Sequence, residues 1–258
     1  MVRVILHGCN GKMGRVLDGI ISKEEPNMEV VAGVDPYDGV ANPYPVFPSI
    51  KDCTVDADVI IDFASAKAVD DLLDYALAKK VPVVLCTTGL SPEQIARVGE
   101  ASKSVAILRS ANMSLGINLL LQLVKKAAVV LSESGFDIEI VERHHNQKLD
   151  APSGTALALA DSINDALDQS LEYVFDRSQV RQKRDKKELG ISAVRGGSIV
   201  GEHEIIFAGL DEVIEFKHTA YSKSIFAKGA VSAAKYLFDK EPGLYDMQQV
   251  IAAQIGQE

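Results

Sequence analysis

Over its first 109 residues the chain alternates short apolar runs with amphipathic stretches, a pattern that few folds satisfy. The apolar runs span residues 2–6, 29–34, 58–63, 81–86 and 104–108. Apolar residues recur at helical spacing between the first two runs (Met13, Val16, Leu17, Ile20 and Ile21) and again between the third and fourth (Val69, Leu72, Leu73, Ala76 and Leu77). Short apolar runs separated by helices are typical of a parallel sheet with crossover helices. The sequence therefore predicts a doubly wound α/β domain.

The pattern changes after Asn112, which indicates a second domain. Residues 115–131 predict one long apolar helix, and residues 137–141 alternate polar and apolar as a half-buried strand does. Several strand-like runs between residues 191 and 220 are separated only by turn-sized, glycine-containing gaps, which predicts an α+β domain with an open antiparallel or mixed sheet. Residues 176–190, rich in arginine and lysine, are predicted to be a solvated loop. Residues 224–238 predict a helix that packs back on the first domain.

Composition excludes several classes of protein. The 258 residues suffice for one large or two modest domains, and 47% hydrophobic with 24% charged residues is typical of a globular protein. A net charge of -9 argues against binding to nucleic acid or to anionic membranes. The three cysteines are widely spaced, which indicates neither a disulfide framework nor a zinc knuckle. We expect no apolar run that approaches the roughly 18 residues of a membrane span, and we predict a cytoplasmic location.

A glycine-rich turn follows the first apolar run directly. The segment Gly8-Cys9-Asn10-Gly11-Lys12-Met13-Gly14 opens the first predicted helix, and in that context backbone N–H groups bind a pyrophosphate. Asp35 ends the second predicted strand, where an acidic side chain reaches the adenosine ribose hydroxyls. Alternatively, the glycines only permit a tight turn and Asp35 only caps a loop. Because strand, turn, helix and acid agree, we predict a Rossmann-type dinucleotide domain.

The acid at Asp35 also bears on the choice of nucleotide. A carboxylate repels a 2′-phosphate, and the next residue is Pro36 rather than an arginine that could bind one. The sequence therefore favours NADH over NADPH, with use of both left open.

The stretch from Glu142 to Leu157 predicts a site that binds an anion. Ser153, Gly154 and Thr155 precede an apolar run, so a helix is expected to begin here with unpaired N–H groups. Those groups and the helix dipole favour a carboxylate or phosphate. His144, His145 and Lys148, just upstream, could hold a second anionic group or deliver a proton.

Each of these side chains also has an ordinary structural interpretation. Neighbouring histidines at a strand end point to opposite faces, so either could be a packing residue. Lys148 could be a solvated surface lysine, and Asp150 is better interpreted as a turn or cap carboxylate than as a base. The spacing shows neither His-x-x-x-His nor a clear third ligand, so no metal site is predicted. Glu202, His203 and Glu204 are interpreted as ordinary sheet residues.

Two segments carry a resemblance to a known family: the Gly8 to Gly14 turn and the string His144-His145-x-x-Lys148-x-Asp150-Ala151-Pro152-Ser153-Gly154-Thr155-Ala156. With these segments the chain closely resembles the dihydrodipicolinate reductases, also called 4-hydroxy-tetrahydrodipicolinate reductases. Further matching positions extend nearly end to end: Asp62-Phe63, Thr87-Thr88-Gly89, Ala111-Asn112, Ser114-x-Gly116-x-Asn118, Arg195-x-Gly197 and Gly201-Glu202-His203.

The resemblance implies a nucleotide-binding domain at about 1–113 with 224–258, and a domain at about 114–223 for substrate binding and tetramer assembly. It also implies an oxidoreductase of lysine biosynthesis by the diaminopimelate route. These enzymes reduce a cyclic, unsaturated imine dicarboxylate to tetrahydrodipicolinate with loss of water, and the hydride comes from NADH or NADPH. A small dicarboxylate substrate and a homotetramer are thereby expected, with no nucleic-acid or membrane partner.

The resemblance also assigns roles by position. The acid/base histidine falls on His144 and the proton-donating lysine on Lys148. Substrate contacts fall on His145, Lys148, Gly154 and Thr155. Cofactor contacts fall on Gly8, Cys9, Asn10, Gly11, Lys12, Met13, Asp35, Phe63, Cys86, Thr87, Thr88, Ser110, Ala111, Asn112 and Met113.

Four positions depart from the family pattern. Ala64 replaces a common threonine, and Cys86 replaces the glycine that usually opens the Thr-Thr-Gly turn. Met113 replaces a phenylalanine that often lies near the nicotinamide, which leaves cofactor affinity open although methionine still offers an apolar, polarisable surface. Lys223 stands where some members carry arginine, and lysine cannot bind a carboxylate through two parallel hydrogen bonds.

Two other functions fit parts of the sequence. A different dehydrogenase on the same two-domain plan, acting on an amino acid or a semialdehyde, would require another substrate loop. A regulatory protein that senses the nucleotide would bind NADH without reducing anything, and the intact His-His-x-x-Lys loop argues against it. For the reductase, we expect the Gly154 and Thr155 N–H groups to bind one substrate carboxylate while Lys148 and His145 neutralise charge.

Overall fold

The computed structural model describes residues 1–256. The chain forms two compact units. The first, unit 1, comprises Met1–Leu115 and the described chain from Ser224 onward, and the second, unit 2, comprises Gly116–Lys223. Strands and helices below are numbered in chain order.

Within the described residues, unit 1 is built on a seven-stranded parallel sheet in the order β12-β6-β5-β4-β1-β2-β3. Its strands are β1 (Val2–His7), β2 (Met28–Val34), β3 (Val46–Phe47), β4 (Val59–Asp62), β5 (Val83–Leu85), β6 (Ala106–Arg109) and β12 (Gly243–Tyr245). The helices of this unit are α1 (Lys12–Glu24), α2 (Val69–Lys79), α3 (Pro92–Ser102), α6 (Ser224–Leu237) and α7 (Met247–Gln254). The predicted doubly wound fold is confirmed.

Alternating side chains of the unit 1 strands feed two apolar cores, one on each face of the sheet. On β1, Val4 and Leu6 belong to the core shared with α1, α6 and α7, whereas Ile5 belongs to the core shared with α2 and α3. All three side chains are at most 1% exposed. Burial on both faces explains why the strands are continuous apolar runs rather than alternating ones.

Unit 2 contains a five-stranded mixed sheet in the order β11-β10-β7-β9-β8, again within the described residues. Its strands are β7 (Asp137–His144), β8 (Glu172–Val174), β9 (Glu188–Arg195), β10 (Gly201–Ala208) and β11 (Val213–Ala220). β10 pairs antiparallel with β7 and β11, while β9 pairs parallel with β7 and β8. The two helices of this half are α4 (Leu115–Glu133) and α5 (Gly154–Ala166). The predicted open mixed sheet is confirmed.

One face of this sheet packs on α4 and α5. Ile138 and Ile140 of β7 lie in one core with Leu159 and Ile163 of α5 and Val124 of α4. Residues 138, 140, 142 and 144 of β7 are all buried, and the residues between them are only half-buried. The buried face of β7 therefore carries two apolar residues followed by Glu142 and His144.

The interpretation of residues 176–190 as a solvated loop is partly wrong. Glu188 begins β9, and the guanidinium of Arg184 is held against the sheet. It donates to Glu139 at 2.9 Å, to Asp137 at 2.9 Å and to the backbone oxygen of Ile138 at 2.9 Å. A basic residue here binds the first residues of the central strand β7, which composition alone does not reveal.

The expectation that no apolar run approaches a membrane span does not hold for α4. This helix has 19 residues and is long and apolar enough, by length and composition, to cross a membrane. It also buries Ile117, Leu120, Val124 and Ala128. A single helix of this kind is weak evidence for a membrane protein, because core helices meet the same criterion.

Candidate active site

The predicted cofactor residues all follow one row of strand ends in unit 1. Four neighbouring strands, β1, β4, β5 and β6, contribute one residue each to this row: His7, Asp62, Leu85 and Arg109. Each of these residues is the register partner of the next one across the sheet. Val34 of β2 pairs with His7 on its other side. The segments that leave this row are residues 8–13, 35, 63, 86–88 and 110–113. Dinucleotides bind at such carboxyl ends, where the strand order reverses, as it does here between β1 and β4.

The glycine-rich turn is possible only because two of its residues lack side chains. Gly8 has φ +84°, and a Cβ there would lie 2.8 Å from the Phe63 carbonyl oxygen. A Cβ on Gly14 would overlap the carbonyl of Gly8 and lie 2.6 Å from that of Cys9. Gly11 provides the N-cap of α1 and has no side chain to cap it. The start of α1 thus has no side-chain cap, and the first N–H groups of a helix have no partner within it.

Asp35 ties this turn to the segment that follows β2. Its Oδ2 accepts from Asn10 N at 3.1 Å and its Oδ1 from Tyr37 N at 3.0 Å. The Asn10 amide donates to the Tyr37 carbonyl and accepts from Asn42 Nδ2. The Asp35 carboxylate is thus fixed in place with lone pairs still available to further donors.

A cavity of about 360 Å³ brings several predicted cofactor residues together. Its lining includes Gly8, Gly11, Asp35 and Phe63. The remaining predicted residues do not line it. Lys12, Thr88 and Ala111 are exposed, while Ser110 and Asn112 are half-buried and Thr87 is buried.

Three predicted cofactor residues direct their side chains into the protein. Cys9 is 1% exposed and Met113 is 5% exposed, and both belong to an apolar core of unit 1, against which the half-buried Met13 also packs. Burial raises the pKa of Cys9 to about 11 and that of Cys86 well above its usual value, so both thiols are neutral. Cys9 and Met113 can therefore offer a ligand mainly backbone groups.

A buried histidine–carboxylate contact lies at the strand ends next to the turn. His7 Nδ1 and Asp62 Oδ1 are 2.8 Å apart, and the two side chains are 5% and 0% exposed. Ala64 N also donates to Asp62 Oδ1 at 3.2 Å. The pair links β1, β4 and the segment after β4, and the sequence reasoning gave neither residue a role.

In unit 2, the predicted substrate residues lie between the end of β7 and the start of α5. Ser153 is the N-cap of α5, and its Oγ accepts from Ala156 N at 3.1 Å, as expected for a serine before a helix. Gly154 and Thr155 are the first two residues of α5, and Thr155 has interactions of its own. His145 is half-buried, and its backbone oxygen accepts from Lys148 N at 3.1 Å.

Lys148 is paired with Asp150. Its Nζ lies 2.8 Å from Asp150 Oδ1, and the two side chains are 22% and 57% exposed. The Lys148 ammonium, and to a smaller extent the Gly154 N–H, lower the pKa of Asp150. A ligand carboxylate that binds Lys148 and Gly154 would therefore compete with Asp150 or share its partners.

His144 belongs to a buried network that starts at Glu142. His144 Nδ1 lies 2.6 Å from Glu142 Oε2. Arg195 Nη1 and Nη2 donate to the two Glu142 oxygens at 2.7 and 2.6 Å, and Ser153 N donates to Oε1 at 3.0 Å. Burial raises the pKa of Glu142, but the hydrogen bonds from Arg195, His144 and Ser153 outweigh it and leave that pKa below its usual value. Glu142 is therefore ionised although it is 0% exposed.

His203 forms the other side of this network. Its Nε2 lies 3.0 Å from Ser153 Oγ, and its ring meets the His144 ring edge to face at 5.2 Å between centroids. Burial, reinforced by His144, lowers the pKa of His203 to about 4. His203 is therefore neutral at physiological pH and adds no positive charge to the Arg195 guanidinium that binds Glu142.

Sequence reasoning missed the network to which His144 belongs. Glu142, Ser153, Arg195 and His203 each received no catalytic or binding role, and His203 was interpreted as an ordinary sheet residue. The sequence signal was present for Glu142, because a carboxylate two residues before His144 falls on the same face of a strand. No group of three or more His, Cys, Asp or Glu in residues 1–256 is placed to hold a metal ion.

Comparisons with known proteins agree with this architecture. Family models described as "Dihydrodipicolinate reductase, N-terminus" and "Dihydrodipicolinate reductase, C-terminus" match residues 2–113 and 116–251. A 4-hydroxy-tetrahydrodipicolinate reductase of Caldanaerobacter subterraneus is 53% identical over 97% of this chain and 98% of that protein. One from Clostridium novyi is 49% identical over the same shares.

A similar solved structure is a dipicolinate-bound dihydrodipicolinate reductase from Paenisporosarcina sp. TG-14. It is 25% identical with a TM-score of 0.81 and covers 96% of this chain and 99% of that one. A scyllo-inositol dehydrogenase from Lactobacillus casei with bound NAD(H) shares the fold alone, at 12% identity and a TM-score of 0.56, covering 99% of this chain and 95% of that one. The resemblance found in the sequence is thereby confirmed: the chain belongs to the dihydrodipicolinate reductase family, whose members are nicotinamide-dependent oxidoreductases.

Proposed function

We propose that the protein reduces the 4-hydroxy-tetrahydrodipicolinate or dihydrodipicolinate ring to tetrahydrodipicolinate in lysine biosynthesis by the diaminopimelate route. The observation that carries the proposal is the segment from His144 to Thr155, which presents a histidine, a lysine and a helix start together in a chain that matches the reductase family over residues 2–251. The dipicolinate-bound relative supports a cyclic dicarboxylate as the substrate.

The row of strand ends in unit 1 suits a nicotinamide dinucleotide. Residues 8–13, 35 and 63 would hold its adenosine and pyrophosphate, because Gly8 and Gly14 have no room for a Cβ and the start of α1 carries no side-chain cap. We propose that residues 86–88 and 110–113 contact the rest of the dinucleotide. When bound, the dinucleotide supplies the hydride.

We propose that NADH is preferred over NADPH. The Asp35 carboxylate is held by two backbone N–H groups at 3.0 and 3.1 Å, so it cannot easily turn away from a 2′-phosphate. Like charges at close range disfavour binding.

The residues of unit 2 would bind and protonate the substrate. Gly154 and Thr155 N–H groups bind one carboxylate at the start of α5, and Lys148 and His145 neutralise the dianion. The Lys148 ammonium then exchanges its ion pair with Asp150 for one with the substrate. The reduced ring must gain a proton at carbon, and His144 and Lys148 deliver it. On His144 the proton is gained and lost at Nε2, because Nδ1 faces Glu142.

We further propose the division of labour that the resemblance implies. Residues 1–113 with 224–258 bind the dinucleotide, and residues 114–223 bind substrate and assemble a homotetramer in the cytoplasm. Apolar residues exposed on α4 (Leu119, Leu123, Val129 and Val130) are compatible with assembly. Sedimentation at several protein concentrations tests the tetramer.

The decisive experiment couples the protein to a synthase that generates the unstable substrate and follows loss of reduced nicotinamide, with NADH and NADPH in turn. Substrate-dependent oxidation, faster with NADH at equal concentration, is the expected result. Binding of NADH without oxidation would indicate a nucleotide sensor instead. Oxidation with an amino acid or semialdehyde alone would indicate a different dehydrogenase.

A further inference from the structure

Glu142 is the most deeply buried acid of unit 2's candidate site, and the proposed reaction gives it no task. It lies on β7 two residues before His144, on the same face, and is 0% exposed. A buried carboxylate is costly unless several donors satisfy it. Its position beside the proposed acid/base histidine therefore requires an explanation.

Every contact of the Glu142 carboxylate comes from a donor. Arg195 binds both oxygens at 2.6 and 2.7 Å, Ser153 N donates at 3.0 Å and His144 Nδ1 lies at 2.6 Å. An ionised carboxylate can only accept hydrogen bonds. The hydrogen on the His144 ring must consequently lie on Nδ1, which leaves Nε2 as the nitrogen that gains or loses a proton.

The space beside Nε2 is kept open by a glycine. A Cβ built on Gly201, the first residue of β10, would lie 3.1 Å from His144 Nε2 and 3.4 Å from its Cδ2. The ring is therefore fixed at Nδ1 by a carboxylate and bordered at Nε2 by bare backbone. Such an arrangement fixes orientation and tautomer together.

Arg195 also positions the segment that carries Lys148. Its Nη2 donates to the Asp150 backbone oxygen at 2.7 Å, and the Asp150 side chain binds Lys148 at 2.8 Å. One guanidinium thereby connects the carboxylate behind His144 to the segment that carries Lys148. Bidentate pairing with Glu142 gives Arg195 a single geometry, which lysine could not reproduce.

We infer that Glu142 and Arg195 form a positioning pair. Glu142 fixes the Nδ1–H tautomer of His144, and Arg195 holds the Glu142 carboxylate and the Asp150 backbone oxygen at fixed positions relative to each other. The inference rests on the proposed function for its catalytic consequence. The tautomer itself is independent of which substrate the protein reduces. Other charged or titratable groups that face the pair are Lys148 and Asp150 from the loop, His203 from β10 and His218 from β11.

The sheet offers a matched control on its opposite face. Glu204 of β10 binds Arg143 of β7 at 2.9 Å, so it too is a carboxylate paired with an arginine across neighbouring strands. The rings of the candidate site lie on the other face, with Glu142. Glu204→Gln removes a carboxylate–arginine contact from the same sheet without touching His144, and Arg143 keeps Glu202 at 3.5 Å.

The test compares Glu142→Gln with Glu204→Gln in the whole protein. We expect Glu142→Gln to lower kcat about 100-fold, the size of effect that small misplacement of a reacting group causes, while Glu204→Gln stays near wild type. Unchanged kcat in Glu142→Gln would overturn the inference.

Nitrogen NMR of the protein labelled with ¹⁵N-histidine supplies a readout that a purely structural role would not change. The neutral His144 ring, assigned by loss of its signals in His144→Asn, should carry its hydrogen on Nδ1 in the wild type and lose that preference in Glu142→Gln. A wild-type ring with its hydrogen on Nε2 would contradict the inference, whatever the variants do.

Folding of the single variant is checked by circular dichroism. If Glu142→Gln does not fold, Glu142→Gln with Arg195→Gln removes both charges and should show the same loss of kcat and of tautomer preference. A folded double variant with normal turnover would refute the pair. If the wild type fails to oxidise reduced nicotinamide, the proposed function fails, and the NMR result still decides the tautomer.

Discussion

The two candidate sites of this molecule are built in opposite ways. The candidate dinucleotide site of unit 1 consists of segments that leave the row His7, Asp62, Leu85 and Arg109, and its critical positions are glycines and backbone groups. The site of unit 2 consists of side chains that bind one another, with Glu142 at the centre. The first site depends on where the backbone passes, and the second depends on which side chains touch.

This difference predicts opposite sensitivities. At the candidate dinucleotide site of unit 1, adding a single methyl group to Gly8 or Gly14 should be damaging, whereas most side-chain truncations at this site should matter little. In unit 2, truncating one side chain should abolish most activity while the backbone remains as it is.

The strongest effect is expected from removing a proton-handling side chain of unit 2. Lys148→Ala or His144→Gln should lower kcat roughly 100- to 10,000-fold, because each removes a group proposed to move a proton to the substrate. Steady-state kinetics with the coupled synthase measures the change. Lys186→Ala, an exposed lysine of the same unit, is the control and should be neutral. Near-normal turnover in Lys148→Ala would refute its role.

A second prediction concerns stability of unit 2 against acid. His203 has its pKa lowered from 6.5 to about 4, so the unfolded chain binds its proton more readily than the folded one between these values. The contribution of neutral His203 to the free energy of unfolding is therefore fully present above pH 6.5 and is lost as the pH falls toward 4. Urea unfolding of wild type at pH 7.5 and 4.5 should differ through this residue by about 2 kcal/mol.

His203→Gln should remove that part of the pH dependence. Glu142 acts in the same direction at lower pH, since its lowered pKa gives stability that disappears as the pH falls through the folded value. Measurements at pH 7.5 and 4.5 separate the two, because Glu142 contributes mostly below pH 4.5. An identical pH dependence in His203→Gln and wild type would show that His203 does not govern it.

The sequence predicted the fold around the strand ends of unit 1 because its signals are local. An apolar run, a Gly8 to Gly14 turn and an acid at Asp35 occur in order along the chain, and burial of the sheet on both faces makes each strand a recognisable apolar run. Several of the elements it missed are short: β3, β8, β12 and α7 have two, three, three and eight residues. Such segments bury too little to leave a periodic pattern.

The side-chain network could not be predicted in the same way. Arg195 and Glu142 are 53 residues apart, and Ser153 and His203 are 50 apart. They meet only because β9 and β10 flank β7 in the mixed sheet, and the order of strands in that sheet was not derivable from the sequence pattern. The same reason accounts for Arg184, whose partners on β7 precede it by more than 40 residues.

A third prediction exchanges a hydrogen for a methyl group in unit 1. Gly14→Ala places a Cβ against the carbonyls of Gly8 and Cys9, so the turn must shift, with an expected loss of about 1–3 kcal/mol of stability and weaker NADH binding. Gly19→Ala is the control: it lies in the same helix with nothing within 4 Å of the added Cβ, and should gain up to about 1 kcal/mol. Thermal unfolding and NADH titration distinguish them; equal stability of the two variants would contradict the close packing.

The smallest effect is expected where a side chain does matter in unit 1. Asp35→Asn removes the charge that disfavours a 2′-phosphate but keeps an oxygen for Asn10 N or Tyr37 N. The ratio of kcat/KM for NADH over NADPH should fall by roughly 10-fold, since about 1.4 kcal/mol of repulsion is a modest share of a close like-charge contact. If the ratio does not change, selectivity lies elsewhere along the strand ends, and Asp35 serves the turn rather than the nucleotide. Either result decides whether a site built on backbone carries its specificity in one carboxylate.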